Sequence, residues 1–141
     1  MSNVIDEDEN YTYEILREEH LEESSKLLGE VFSKFNPMEV FLKTGYDKLY
    51  AQAMIFSKTI LKDKLSIVAI DKSTKEIHGI VQAADTNNLK ELNFEELTPG
   101  KDSEVFEEIE RRFLEIYGEP KENQLIQIMM VGVRQDCTGK G

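Results

Sequence analysis

The chain of 141 residues contains a single cysteine, Cys137, and no long apolar run. One cysteine forms no internal disulfide and supplies no metal site of several thiolates, and its scarcity suits a reducing compartment. No stretch approaches the roughly 18 apolar residues of a membrane span. The opening MSNVIDEDEN has neither the basic nor the apolar region of a secretory signal. Positive charge is scarce too: 17 Lys and Arg stand against 28 Asp and Glu, a formal net charge of −11. Such a surface repels phosphate backbones, which argues against nucleic acid, and it concentrates cationic small molecules, amines among them. The expectation is a soluble cytoplasmic protein without membrane or metal, with a homodimer as an open option.

What is present belongs to a globular chain, 40% hydrophobic and 32% charged. A domain of this size buries about 68–70% of the surface its unfolded chain exposes, enough for one core. Residues 1–10 carry four consecutive acids, Asp6 to Glu9, with little to bury, and read as a flexible acidic tail ahead of one domain over 11–141. Tyr11, Tyr13 and Ile15 then alternate with Thr12 and Glu14, the period of a half-buried strand. From Leu21 the period lengthens: Leu27, Leu28, Val31, Phe32 and Phe35 lie at helical spacing until Pro37 forces the preceding residue out of the helical region. A second helical stripe runs from Tyr46 to Leu61.

The runs Leu65–Asp71 and Glu76–Ala84, joined by a polar turn, read as an antiparallel hairpin. A long surface connection over 85–101 leads to a third helix, capped by Asp102 or Ser103, with Val105, Phe106, Ile109, Phe113, Ile116 and Tyr117 as its buried stripe. The apolar run Gln124–Val133 reads as a central strand in which Gly132 permits a bulge. The element order predicts one α/β or α+β unit, a mixed and mostly antiparallel sheet flanked by helices.

The last strand runs into Gly139-Lys140-Gly141. A strand that opens into such a loop can present consecutive backbone N–H groups to an anion, and glycine lets a phosphate approach the main chain closely. Together with the preceding VGVRQD and the element order, this loop resembles motif A of the GNAT superfamily of N-acetyltransferases, with its pattern [RQ]-x-x-G-x-[GA] after strand four. On that pattern Thr138 takes the Arg/Gln position and Gly141 the first required glycine. On that pattern the sequence is expected to end inside the loop that holds the coenzyme's pyrophosphate. The resemblance spans roughly residues 11–141 and is closest to the arylalkylamine N-acetyltransferase-like branch. The matching pieces are Tyr11-Thr12-Tyr13-Glu14, Asn36-Pro37-Met38, Phe41-Leu42 and Glu76-Ile77-His78-Gly79.

The resemblance implies a GNAT fold truncated after strand four and acetyl transfer from acetyl-CoA to a primary amine, small or peptidic, by direct attack. In that superfamily the strand-four backbone pairs with pantetheine and a strand amide polarises the thioester. This implies coenzyme-binding roles for Met130, Val131, Val133, Thr138, Gly139, Lys140 and Gly141. The branch places its glutamate base where this chain has Asn36, which is not a base. Glu39, three residues on, is the substitute candidate if the segment turns helically, and a solvated acidic helix start is the plainer reading. The alternative function is a degenerate module that binds coenzyme or a partner without turnover, and the chain by itself is expected to be inactive. No histidine lies within the motif to activate Cys137, so it reads as a turn residue. His78 reads as a strand residue and His20 as an end-of-helix residue.

Overall fold

The computed structural model describes residues 3–92 and 101–139. One sheet of five strands, β1 (Val4–Glu7), β2 (Tyr11–Ile15), β3 (Ile67–Asp71), β4 (Ile77–Asp85) and β5 (Ile126–Val133), follows chain order. Every pairing among the described residues is antiparallel, so the parallel component expected of a mixed sheet is not found among them.

The acidic segment expected as a flexible tail forms β1, paired with β2. An edge strand needs only the backbone ladder of its one neighbour. Its side chains therefore stay exposed and the acids remain solvated, with Lys72 ion-paired to Glu7 at 2.8 Å.

Between β2 and β3 the chain makes three helices rather than the two expected: α1 (Leu21–Phe35), α2 (Pro37–Leu42) and α3 (Tyr46–Ile60). α1 ends where Asn36 turns extended (φ −75°, ψ 116°) ahead of Pro37. The same residue starts α2: its side-chain oxygen accepts from the amides of Met38 and Glu39, each at 3.1 Å, with Pro37 at the first helical position. Lys43 closes α2 in the left-handed region and Gly45 leads into α3.

α1 and α3 cover one face of the sheet, where Leu28, Ala53, Phe56, Val68, Ile80 and Met130 form the core. α1 crosses β5 at Gly132. A Cβ there would lie 3.0 Å from Leu28 Cδ2 and 3.1 Å from Leu27 Cδ2, a tight contact to which these two side chains would have to yield, so glycine suits the close approach of the helix. The bulge expected at this glycine falls instead at Met129, the extra residue between the pairs Gln82↔Met130 and Ala83↔Ile128. The expected long connection begins as a 3-10 segment, Thr86–Glu91. Its stretch over 93–100 lies outside the described residues.

α4 (Lys101–Tyr117) forms, beginning ahead of the expected caps Asp102 and Ser103, but the stripe predicted to be buried is largely exposed: Val105, Phe106, Ile109, Ile116 and Tyr117 are each more than half accessible. Amphipathic spacing reports the helix and its apolar side. It does not report whether a neighbour covers that side. No helix among the described residues is long and apolar enough to cross a membrane.

Candidate functional site

β5 lies at the edge of the sheet, bonded on one side to β4 and on the other to no strand among the described residues. The bulge at Met129 sets which groups line the two sides. Arg134 N–H donates to the His78 carbonyl at 2.8 Å, and main-chain direction alternates along a strand. The amides of Gly132 and Met130 therefore face β4, while those of Val131 and Val133 face the open edge. A bulge also sharpens the local twist. Of the three strand residues singled out by sequence, Val131 and Val133 thus turn their N–H and C=O groups to the edge that no described strand covers, whereas the Met130 side chain is buried in the core.

Past Val133 the chain turns through a 3-10 segment, Gln135–Cys137. The Cys137 amide donates to Arg134 O at 2.8 Å, and the Thr138 hydroxyl to Gln135 O at 2.9 Å. Thr138 is exposed, and its hydroxyl is engaged inside its own turn. Gly139 has φ +77° with nothing within 4 Å of a Cβ position, a left-handed residue that bends the chain at no steric cost. Lys140 and Gly141 lie outside the described residues.

Glu39 departs from the plainer expectation of a solvated helix start. It is 7% exposed in α2, and its carboxylate accepts from the Thr44 hydroxyl. Its hydrogen bond stays within the α2–α3 connection and reaches no residue of β5 among those described. Asn36, at the position where the sequence resemblance expects a base, uses its side-chain oxygen as the α2 cap.

Cys137 lies in a turn as expected, with no histidine in its own motif, but the fold brings one to it from β4. His78, fifty-nine positions away, places Nδ1 3.3 Å from Cys137 Sγ. Tyr11 Oη lies 3.0 Å from the same nitrogen, its ring edge-on to the imidazole. Both Cys137 and His78 are buried. Beside them Arg134 forks onto Asp136 at 2.7 and 3.0 Å and reaches Glu76 at 3.0 Å. These bonds hold the Asp136 carboxyl down to about 2 and also lower Glu76, in each case chiefly through Arg134. Desolvation first, and Cys137 second, push the Tyr11 phenol above its ordinary value. Local spacing gave no sign of this cluster. Only the joint register of β2–β3–β4–β5 brings Tyr11, His78 and Cys137 to one end of the sheet.

His20, expected at a helix end, is there. It precedes α1, buried, and its Nδ1 accepts from the Arg17 amide at 3.1 Å. Among the described residues no group of three or more His, Cys, Asp or Glu is placed to hold a metal ion.

No described protein family matches the chain by sequence. No curated protein does so either. Solved structures do match it. The C-terminal condensation domain of Ebony, in complex with β-alanyl-dopamine, superposes with a TM-score of 0.71 at 23% identity, over 92% of this chain and 62% of that one. An insect protein assigned as arylalkylamine N-acetyltransferase 7, from the yellow fever mosquito Aedes aegypti, gives 0.64 at 15% identity, over 92% of this chain and 55% of that one. The chain spans less than two thirds of either. The fold is acetyltransferase-like: an antiparallel five-stranded sheet flanked by helices.

Proposed function

We propose that this chain forms part of an N-acyltransferase that moves acetyl from acetyl-CoA to a primary amine by direct attack. The observation that carries this reading is the open edge of β5, bulged at Met129 and running into the turn at Gly139, within an acetyltransferase-like fold. On this reading the pantetheine arm pairs with the outward groups of Val131 and Val133. A backbone N–H at that edge polarises the thioester carbonyl, and a preorganised donor of this kind is worth about 3 kcal/mol in the transition state. The loop from Thr138 to Gly141 receives the pyrophosphate.

Amide formation needs a neutral amine, so a base takes the ammonium proton directly or through water. We assign this role to Glu39, which α2 and Thr44 hold in a fixed position. The amine then attacks the carbonyl carbon, the C–S bond breaks, and the coenzyme leaves as thiolate and takes up a proton. The net charge of −11 favours a cationic acceptor.

The second reading, a coenzyme-binding module without turnover, is favoured by Asn36, whose oxygen serves as a helix cap at the base position. Calorimetric titration with acetyl-CoA tests the coenzyme: no heat of binding at millimolar ligand defeats both readings. Thiol release with a panel of amines then separates them. In an active protein Glu39→Gln lowers the rate by about 10²–10⁴-fold, and an unchanged rate removes Glu39 from the mechanism.

A further inference from the structure

The two ends of β5 are held in different registers against β4. At the far end Arg134 N–H donates to His78 O, and the pairs Gly79↔Val133 to Gln82↔Met130 continue that register. At the near end Thr86 N–H donates to Leu125 O, and the pairs Asp85↔Ile126 to Ala83↔Ile128 run one residue out of step with it. Met129 is the residue left over. The apolar pattern does not ask for this arrangement. Were the far register continued to the near end, Ile126 and Ile128 would turn toward the helices and Gln127 and Met129 away from them, because a slip of one residue exchanges the faces. As folded, both isoleucines stay exposed and Met129 packs, partly buried, against the core. The near register is held instead by two carboxylates. Asp85, buried at the end of β4, accepts the Asn123 amide on Oδ2 at 2.6 Å and the Asn87 amide on Oδ1 at 3.0 Å. Asn123 is left-handed, with φ 62°, in the turn that leads into β5. Asp63, in the 3-10 turn that closes α3, accepts the Asp85 amide at 3.0 Å and the Asn88 side chain. The entry to β5 is thus tied to the exit of β4, and that exit to α3.

We propose that Asp85 is a positioning residue: it selects the out-of-step register of the first half of β5 and so places the bulge beside the edge where Val131 and Val133 receive the coenzyme arm. The inference rests on the coenzyme reading above. With the bulge, the main-chain groups that face away from β4 fall at Ile126 and Ile128 and then, past an irregular step, at Val131 and Val133. In the slipped strand they fall evenly at Gln127, Met129, Val131 and Val133. An arm paired at Val133 and Val131 then meets a straight ladder where the bulged strand bends away. Asp85 acts through the strand and touches no reacting atom.

Cross-strand NMR contacts read the register directly. Ala83 and Ile128 form a non-hydrogen-bonded pair, whose Hα atoms lie close together, and in the slipped strand the partner of Ala83 is Met129. Asp85→Ala removes both acceptors. It moves the Ala83 Hα contact from Ile128 to Met129 while the Gly79–Val133 contact stays in place. In titrations it weakens acetyl-CoA about tenfold, the loss expected of one well-placed hydrogen bond. Asp85→Asn keeps one oxygen and shows both contacts. Deletion of Met129 removes the bulge but leaves both carboxylates in place, and it weakens acetyl-CoA to the same degree. An unmoved Ala83 contact in Asp85→Ala overturns the register role; if that variant does not fold, an unmoved contact in Asp85→Asn does so. A slipped strand, or a Met129 deletion, that binds acetyl-CoA as the wild type does overturns the positioning role alone. Failure of the wild type to bind acetyl-CoA overturns the coenzyme reading and the positioning role with it, whatever register the NMR contacts show.

Discussion

His20 shows how a single side chain can tie stability to pH. It is buried beside Arg17, and desolvation first, the Arg17 charge second, lower its affinity for a proton below the ordinary imidazole value, against the opposing pull of Glu19 and Glu14. The native state therefore binds fewer protons at this site than the unfolded chain does. Stability rises with pH wherever the unfolded state holds more protons. The contribution is complete above the unfolded value of about 6.5 and is lost progressively as pH falls from there toward the lowered native value. Melting temperature should thus decline as pH drops below about 6.5. His20→Asn, which keeps an acceptor for the Arg17 amide but does not titrate, should flatten that part of the profile. A variant with the same slope as the wild type assigns the decline to other groups. The residue scale is also where sequence reading reached least far. His20 and His78 are the two histidines of the chain, and neither the buried acceptor role of the first nor the contact of the second with Cys137 follows from neighbours in sequence.

At the scale of elements, legibility followed burial pattern. β2 alternates in its sequence, β3 alternates in burial, β4 is an almost wholly buried β-rich run, α1 repeats at helical spacing, and Pro37 stops it, so each was readable within a few residues. β1 was not, because a strand with all four side chains exposed leaves no apolar alternation to read. α2 was missed for a related reason. It is six residues long, and its start depends on a cap rather than on an apolar stripe. That cap supplies a prediction. Asn36→Ala removes the acceptor of two amides, so it should destabilise the fold by about 0.5–2 kcal/mol, seen as a lower urea midpoint at unchanged slope. Asn36→Asp, which retains the acceptor, should lose little. If Asn36→Ala unfolds at the wild-type midpoint, the side chain is no cap.

For the molecule as a whole, two opposed terms decide how copies of this chain meet. One is charge: −11 spread over the surface keeps copies apart. The other is the uncovered apolar surface. Because the bulge at Met129 shifts the alternation by one residue, Ile126 and Ile128 share a face with Val131 and Val133, and all four are exposed, by 60, 61, 50 and 42%. They form a stripe beside a strand edge that pairs with no other strand among the described residues, the arrangement that invites strand-to-strand pairing. Charge repulsion acts over a Debye length, about 8 Å at physiological salt and about 3 Å at 1 M. Apolar contact is not screened and is worth about 25 cal/mol per Å² buried. Salt therefore removes the opposing term and leaves the attractive one. Sedimentation of the 141-residue chain should show self-association that strengthens from 20 mM to 1 M NaCl. Ile128→Lys with Val131→Lys, placing charge on the stripe, should return it to monomer across that range. Dissociation by salt would instead mean that ion pairs join the copies, and a double variant that still associates would move the interface to the exposed side of α4.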